Sequence, residues 1–467
     1  MKKNLIIGLL LISSTWVFSQ DITGEWNGAL HVQGMQLRLV FHISKTDTAF
    51  NATMDSPDQG AKDIPMSKVT FENHLLTIEM SAAGIKYTGK PDSTGVVVVG
   101  TFQQGGQSFP LNLSRKSIEK VELKRPQDPQ KPYPYYSEEI TFKNQKENIT
   151  LAGTLTLPSK DGKFPVVVLI TGSGPQNRDE ELMGHKPFLI LSDYLTRNGI
   201  GVLRYDDRGT NASTGNFGTA TTFDFATDVE SAVSFLKTRK EIDQKNIGLI
   251  GHSEGGIIAP IVAVHDQDVS FIVLMAGTAV SGDKLLLLQQ KSIGNASDLK
   301  ENTLKEAAEI NRGLYDIVLQ STNNDTLKKQ VSDYLKIAVA KSDNKEIPKG
   351  MTVDDIVKQQ VAVITSPWMV NFIKYDPSII LEKVKCPVLA LNGDKDLQVS
   401  SKVNLPAIEK ALKKGGNKDV SLVELPGMNH LFQECTTGLP KEYSEIAQTI
   451  SPVALKTISD WIKQQLK

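Results

Sequence analysis

Asn246-Ile247-Gly248-Leu249-Ile250-Gly251-His252-Ser253-Glu254-Gly255, continuing into Gly256-Ile257-Ile258-Ala259-Pro260-Ile261-Val262, is the stretch that decides the fold. An apolar run of strand character ends at a serine with a glycine two residues to either side, and an apolar run of helical character follows at once. Strand, tight turn and helix form the context that the G-x-S-x-G nucleophile elbow requires. A Cβ at either glycine would clash inside so tight a turn, and the serine is held in a strained backbone conformation with its hydroxyl exposed. Ser253 is therefore the candidate nucleophile. The competing readings are a turn that only packs and a dinucleotide fingerprint; the fingerprint needs G-x-G-x-x-G, and Ser253 occupies the place of its second glycine.

A hydroxyl is a poor nucleophile at neutral pH, so a base must take its proton and a carboxylate must orient that base. When such an elbow carries a triad, the partners follow in the order Ser, acid, His. Of the seven histidines, His31, His42, His74 and His185 precede the serine, His252 lies inside the elbow and His265 follows closely. His430 alone remains for the C-terminal part, on the loop Leu425-Pro426-Gly427-Met428-Asn429-His430 after the strand-like 420–424. The acid belongs after the preceding strand, Cys386-Pro387-Val388-Leu389-Ala390-Leu391, which leads into Asn392-Gly393-Asp394-Lys395-Asp396. Two aspartates compete there.

The oxyanion of a tetrahedral intermediate needs two converging N–H donors. Glu254, next to the nucleophile, supplies one. The other comes from Thr171-Gly172-Ser173-Gly174-Pro175-Gln176-Asn177-Arg178-Asp179, where the apolar run 164–170 breaks; the N–H of Ser173 or Gly174 is the candidate.

The segment from about Asn148 to Lys467 resembles the α/β-hydrolase superfamily. Residues 171–179, Leu203-Arg204-Tyr205-Asp206-Asp207-Arg208-Gly209, 251–256 and 393–396 together are similar to bacterial serine carboxylesterases related to dienelactone hydrolase and to the serine aminopeptidase S33-like group. The resemblance implies acyl transfer to water through an acyl-enzyme, and it favours Asp396 over Asp394, because the carboxylate of such hydrolases stands three residues after the glycine. The expected catalytic residues are then Ser253, Asp396 and His430, with no cofactor. Alternatives are an aminopeptidase or amidase with the same triad, for which Glu180, Glu181 or Glu254 would hold the substrate amine, a non-hydrolysing acyltransferase, and a non-catalytic binding protein.

Strands alternating with helices between the motifs imply a mostly parallel sheet covered on both faces, with ligands at the carboxyl ends of its strands. The alternation stops from about Ser281 to Lys383, and the helical, charge-dotted sequence there is read as a lid. In it Trp368, Phe372 and Tyr375 either face an acyl pocket or pack as a helix core, since both use the same spacing.

Residues 1–20 have the basic, apolar and small-polar layout of a secretory signal peptide, so the chain is expected to be exported, periplasmic or secreted, with no membrane span after removal. Export to an oxidising space would allow Cys386 and Cys435 to pair, though free buried thiols are the favoured reading. Period-two strands from 21 to 115 predict a small antiparallel barrel or sandwich, 116–136 a proline-rich linker, and 137–467 the catalytic domain with its lid. A net charge of −1, spread evenly, offers no electrostatic footprint for nucleic acid or an anionic membrane. The expected partner is a small acyl ester.

Overall fold

Leu39, Phe41 and Ile43 point inward and are at most 3% exposed, while Arg38 and His42 face outward, as the alternation requires. In the computed structural model, which describes residues 21–466 apart from 33–34, 48, 60, 81–83, 105–106, 120–124 and 342–351, such strands build one ten-stranded antiparallel half-barrel. The signal-like segment 1–20 lies outside the described residues. The strands are β1 (Gly24–Val32), β2 (Met35–Lys45), β3 (Phe50–Ser56), β4 (Ala61–Pro65), β5 (Lys68–Glu72), β6 (Leu75–Met80), β7 (Ile85–Pro91), β8 (Val97–Gln104), β9 (Gln107–Pro110) and β10 (Leu113–Ser114). Their order, β4-β3-β2-β1-β10-β8-β7-β6-β5, joins the first strand to the last, and β9 pairs with β8. Trp26, Phe41, Tyr87 and Phe102 fill the core, and the Arg115 guanidinium covers the Trp26 ring at 3.8 Å.

Residues 125–130 lie against the second sheet's domain. Arg125 donates to the carbonyls of Met183, Ser444 and Ile446, and Gln127 Nε2 donates to that of Ile450 while its Oε1 accepts from the backbone N–H of Thr449. Arg125 and Gln127 thereby fix this stretch to Met183 and to residues 444–450.

The second sheet follows from apolar runs that are buried on both faces. Its strands are β11 (Tyr136–Asn144), β12 (Ile149–Leu157), β13 (Phe164–Ile170), β14 (Gly201–Tyr205), β15 (Ile242–His252), β16 (Val269–Met275), β17 (Val388–Gly393) and β18 (Val420–Leu425), in the order β11-β12-β14-β13-β15-β16-β17-β18. β11 and β12 run antiparallel at one edge and the rest are parallel. Helices α1 (Pro187–Arg197), α2 (Thr222–Lys237) and α3 (Gly255–His265) cover it, so this half of the chain is a hydrolase-type α/β sheet. Thr221 and Asp224 start α2 with a reciprocal capping box.

Between β16 and β17 stand α4 (Gly282–Ala296), α5 (Glu301–Gln320), α6 (Asn324–Lys341), α7 (Val353–Ile364), α8 (Pro367–Lys374) and the short α9 (Ser378–Leu381). They share an apolar cluster of their own around Leu314, Val318, Val331 and Ile373. Pro367 at the first helical position and the Ser366 side chain, which accepts from Met369 N, fix the start of α8. Helices α10 (Ser401–Lys414) and α11 (Pro452–Gln465) complete the layers. Among the described residues no helix is long and apolar enough to cross a membrane.

Candidate active site

β15 runs into the turn at Ser253 and α3 leaves from Gly255, so one residue sits where strand becomes helix. Ser253 has φ +54°, the left-handed region that serine rarely enters, and its N–H donates to Met275 O at 2.8 Å. A Cβ at Gly251 would lie 1.9 Å from Gly255 O, and one at Gly255 would lie 2.2 Å from Ile170 O. Both obstacles are backbone, so neither glycine tolerates a side chain without displacing main chain, the start of α3 for Gly251 and the end of β13 for Gly255. Gly255→Ala is accordingly expected to destabilise by about 3 kcal/mol or more, since overpacking against backbone has no soft neighbour to move; thermal unfolding of the variant is the check.

The loops after β17 and β18 bring Asp396 and His430 together. His430 Nδ1 lies 2.8 Å from Asp396 Oδ2, and both residues are buried. Asp396 is itself held: its Oδ1 accepts from the N–H groups of Gln398 and Val399 at 2.8 Å, and its Oδ2 accepts from Asn392 Nδ2 at 3.2 Å. Asp394 is engaged elsewhere, accepting from Gly427 N. Its carboxylate closes the turn that precedes the histidine loop. Of the two aspartates that the sequence left in competition, Asp396 is the one that meets the ring.

Ser253 opens into a cleft of about 90 Å³ lined by Ser173, Glu254, Leu285, Leu286, Trp368 and Phe372 together with neighbouring side chains. Helices α4 and α8 of the insertion thus form one wall. Trp368 and Phe372 stack on each other at 5.0 Å and face this space, whereas Tyr375 turns away and meets Phe223 edge to face. Of the two candidates for the second oxyanion donor, Ser173 borders the cleft, and Gly174 follows it with φ +95°.

The loop 171–187 owes its shape to the Asp206-Asp207 pair. Asp207 accepts from Thr171 Oγ1 and Gln176 N, while Asp206 accepts from Arg178 through both its backbone and its guanidinium. Arg204 pairs with Asp179. Burial pushes the Asp207 carboxyl well above its ordinary range, against the two hydrogen bonds that favour its charge. These residues were legible in the sequence only as a motif; that they pin the loop facing Ser253 depends on β14 lying beside β13.

The three glutamates available to hold an amine are otherwise committed. Glu180 is buried, with its Oε1 accepting from Gly172 N at 2.9 Å and lying 2.8 Å from His252 Nδ1. Glu181 accepts from Asn177 Nδ2 at 3.1 Å. Glu254 is buried beside the cleft, its Oε1 accepting from Thr222 Oγ1 at 2.7 Å and Trp368 Nε1 at 2.8 Å, and burial raises its pKa despite both bonds. Cys386 and Cys435 are free thiols, the former pushed up to about 12 by burial. Among the described residues no three acidic, histidine or cysteine side chains are placed to hold a metal ion.

A serine on a strained elbow at the carboxyl edge of a mostly parallel sheet, below a helical insertion, defines an α/β-hydrolase. The family described as serine aminopeptidase, S33, matches residues 188–434, more than half of the chain, and the chain belongs to it. It is 24% identical over 440 residues to the esterase EstD of Thermotoga maritima, covering 92% of this chain and 90% of that one. An uncharacterized 31.7 kDa protein of Escherichia coli from the traX-finO intergenic region is 27% identical over 282 residues, 58% of this chain and 84% of the relative. Among solved structures, the Pyrococcus furiosus esterase Pf2001 superposes with a TM-score of 0.44 at 14% identity, covering 75% of this chain and 100% of the other. The dienelactone hydrolase of Anabaena variabilis gives 0.39 at 14% identity, with 72% and 100% covered.

Proposed function

We propose that this chain hydrolyses carboxylic esters of short acyl chains through Ser253, His430 and Asp396. The observation that carries the reading is the 2.8 Å contact of His430 Nδ1 with an Asp396 carboxylate that three further hydrogen bonds hold in place, together with an elbow serine at φ +54°. Asp396 keeps the Nδ1 proton on its own side, which leaves Nε2 as the basic nitrogen. His430 takes the proton of Ser253 as Oγ attacks the acyl carbon, and the N–H groups of Glu254 and of Ser173 or Gly174 receive the charge that develops on the carbonyl oxygen. The imidazolium then protonates the departing alkoxide. Water, deprotonated by the same ring, releases the acid from the acyl-enzyme.

The size of the cleft supports a small acyl group as substrate. An apolar cavity of about 150 Å³ takes a benzene ring, so about 90 Å³ suits an acyl group of a few carbons. Leu285, Leu286, Trp368 and Phe372 supply its apolar wall. Esters are favoured over amides because alkoxides leave more readily than amines and because Glu180 and Glu254 already serve donors of the protein. The relative EstD is named an esterase, in agreement with this choice. Aminopeptidase activity, after the family's description, is the second reading.

p-Nitrophenyl esters of graded acyl length, assayed beside aminoacyl anilides, separate the two. The expected result is kcat/KM greatest for acetate to butyrate, a fall beyond about six carbons as the chain outgrows the cleft, and no anilide turnover. A preference for anilides would replace the ester reading by the peptidase one. The basic and apolar layout of residues 2–12 supports the accompanying proposal that the enzyme works outside the cytoplasm.

A further inference from the structure

His252, next to Ser253 in the chain, and Glu180 are both buried, and the roles of Ser253, His430 and Asp396 use neither side chain. Three hydrogen bonds run through them. Glu180 Oε1 accepts from Gly172 N at 2.9 Å and meets His252 Nδ1 at 2.8 Å, and His252 Nε2 meets the backbone oxygen of His430 at 3.0 Å. A carbonyl oxygen only accepts, so Nε2 must carry a proton, and an ionised Glu180 requires a second proton on Nδ1. A neutral imidazole has one proton for these two contacts.

We propose that Glu180 and His252 form a buried carboxylate–imidazolium pair that positions the three active-site loops against one another. Gly172 ties it to the loop that carries the second oxyanion donor, His252 to the elbow through its bond to Ser253, and the His430 carbonyl to the loop of the base. The inference rests on the assignment of Ser253 and His430 as nucleophile and base, but the pair touches no substrate. Both residues are positioning residues.

The surroundings favour the charge. Burial works against an imidazolium at this place, yet the Glu180 carboxylate, the His430 carbonyl and the more distant Asp396 outweigh it, and the His252 pKa is raised above its ordinary value. The other groups facing the ring are His430, with centroids 4.9 Å apart, and the uncharged Phe432 at 6.2 Å. A raised value places the intact pair on the acid side. Its contribution is complete below the ordinary histidine pKa of about 6.5 and is lost as pH rises through the folded value, when one of the two N–H bonds must break.

The test begins with the unaltered protein, ¹⁵N-labelled in its histidine rings and assigned by the signals absent from His252→Gln. Both ring nitrogens of His252 are expected in the protonated form at neutral pH. Glu180→Gln keeps an acceptor for Gly172 N but removes the charge. It should lower kcat by about 10²-fold, the usual result of a small misplacement of reacting groups, leave KM nearly unchanged and move the alkaline fall of kcat to lower pH. A purely structural role would lower the unfolding temperature without moving that limb. An unprotonated ring nitrogen on His252 in the unaltered protein overturns the proposal, as does Glu180→Gln with kcat within about twofold of the parent. If that variant does not fold, the spectrum of the unaltered protein decides. Failure of Ser253 to take up a fluorophosphonate probe would instead refute the nucleophile assignment, whatever the spectrum shows.

Discussion

Ser253→Ala is expected to lower kcat on a short ester by roughly 10⁶-fold, the scale seen when the nucleophile of a serine triad is removed, and to abolish covalent labelling by a fluorophosphonate. Alanine lacks the oxygen that forms the acyl-enzyme, while the N–H groups offered to the oxyanion are untouched, so the small residual rate is that of oriented water. Folding should survive. The Ser253 hydroxyl points into the cleft rather than into the core, although alanine at φ +54° gives up nothing that serine had in backbone comfort. Measuring kcat, labelling and thermal unfolding on one preparation separates loss of chemistry from loss of structure. Labelling that persists in Ser253→Ala would place the nucleophile elsewhere.

The elbow was readable in the sequence because its close backbone approaches admit only glycine. Gly251 and Gly255 face backbone oxygens at 1.9 and 2.2 Å from where a Cβ would stand, and no other residue type satisfies that. The apolar runs 166–170, 247–250 and 388–391 were readable for a similar reason, since strands buried on both faces cannot alternate. Helix α2 was readable as part of the alternation of strands and helices, and its Val229, Ala232, Val233 and Leu236 are buried on one face. What escaped depends on distant parts of the chain. Glu180 was readable only as a carboxylate that could hold a substrate amine, and only the folded loop, with Glu180 at φ +52°, carries its carboxylate to His252. The spacing of Trp368, Phe372 and Tyr375 was ambiguous because helix cores and pocket walls share it; the fold divides them, two to the cleft and one to Phe223. Gln127 gave no sign that it would bind Thr449 and Ile450 across more than 300 residues.

Asp396→Asn is expected to lower kcat by about 10⁴-fold, the loss associated with the wrong imidazole tautomer in a serine triad, whereas Asp394→Asn should leave kcat nearly intact. The contrast follows from what each carboxylate holds. Asp396 Oδ1 accepts from Gln398 N and Val399 N, and Oδ2 accepts from Asn392 Nδ2 and meets His430 Nδ1. An amide in its place can still offer one oxygen to the two backbone donors, but its NH₂ group then faces His430. That group donates, so Nδ1 must become the acceptor, the proton moves to Nε2, and the nitrogen that should receive the Ser253 proton is already occupied. The two backbone donors remain satisfied, and Asn392 Nδ2 loses its bond to the replaced oxygen but keeps the one to the Val399 carbonyl, so the variant should fold with a modest loss of stability and its main loss should fall on kcat rather than on KM. Asp394 caps a turn through Gly427 N, where an asparagine oxygen accepts equally well. Steady-state rates of the two variants on one short ester, beside their unfolding temperatures, make the comparison. Should Asp394→Asn prove the more damaging in kcat while both proteins stay folded, the base takes its orientation from the other aspartate and the triad assigned to this cleft is wrong in its acid.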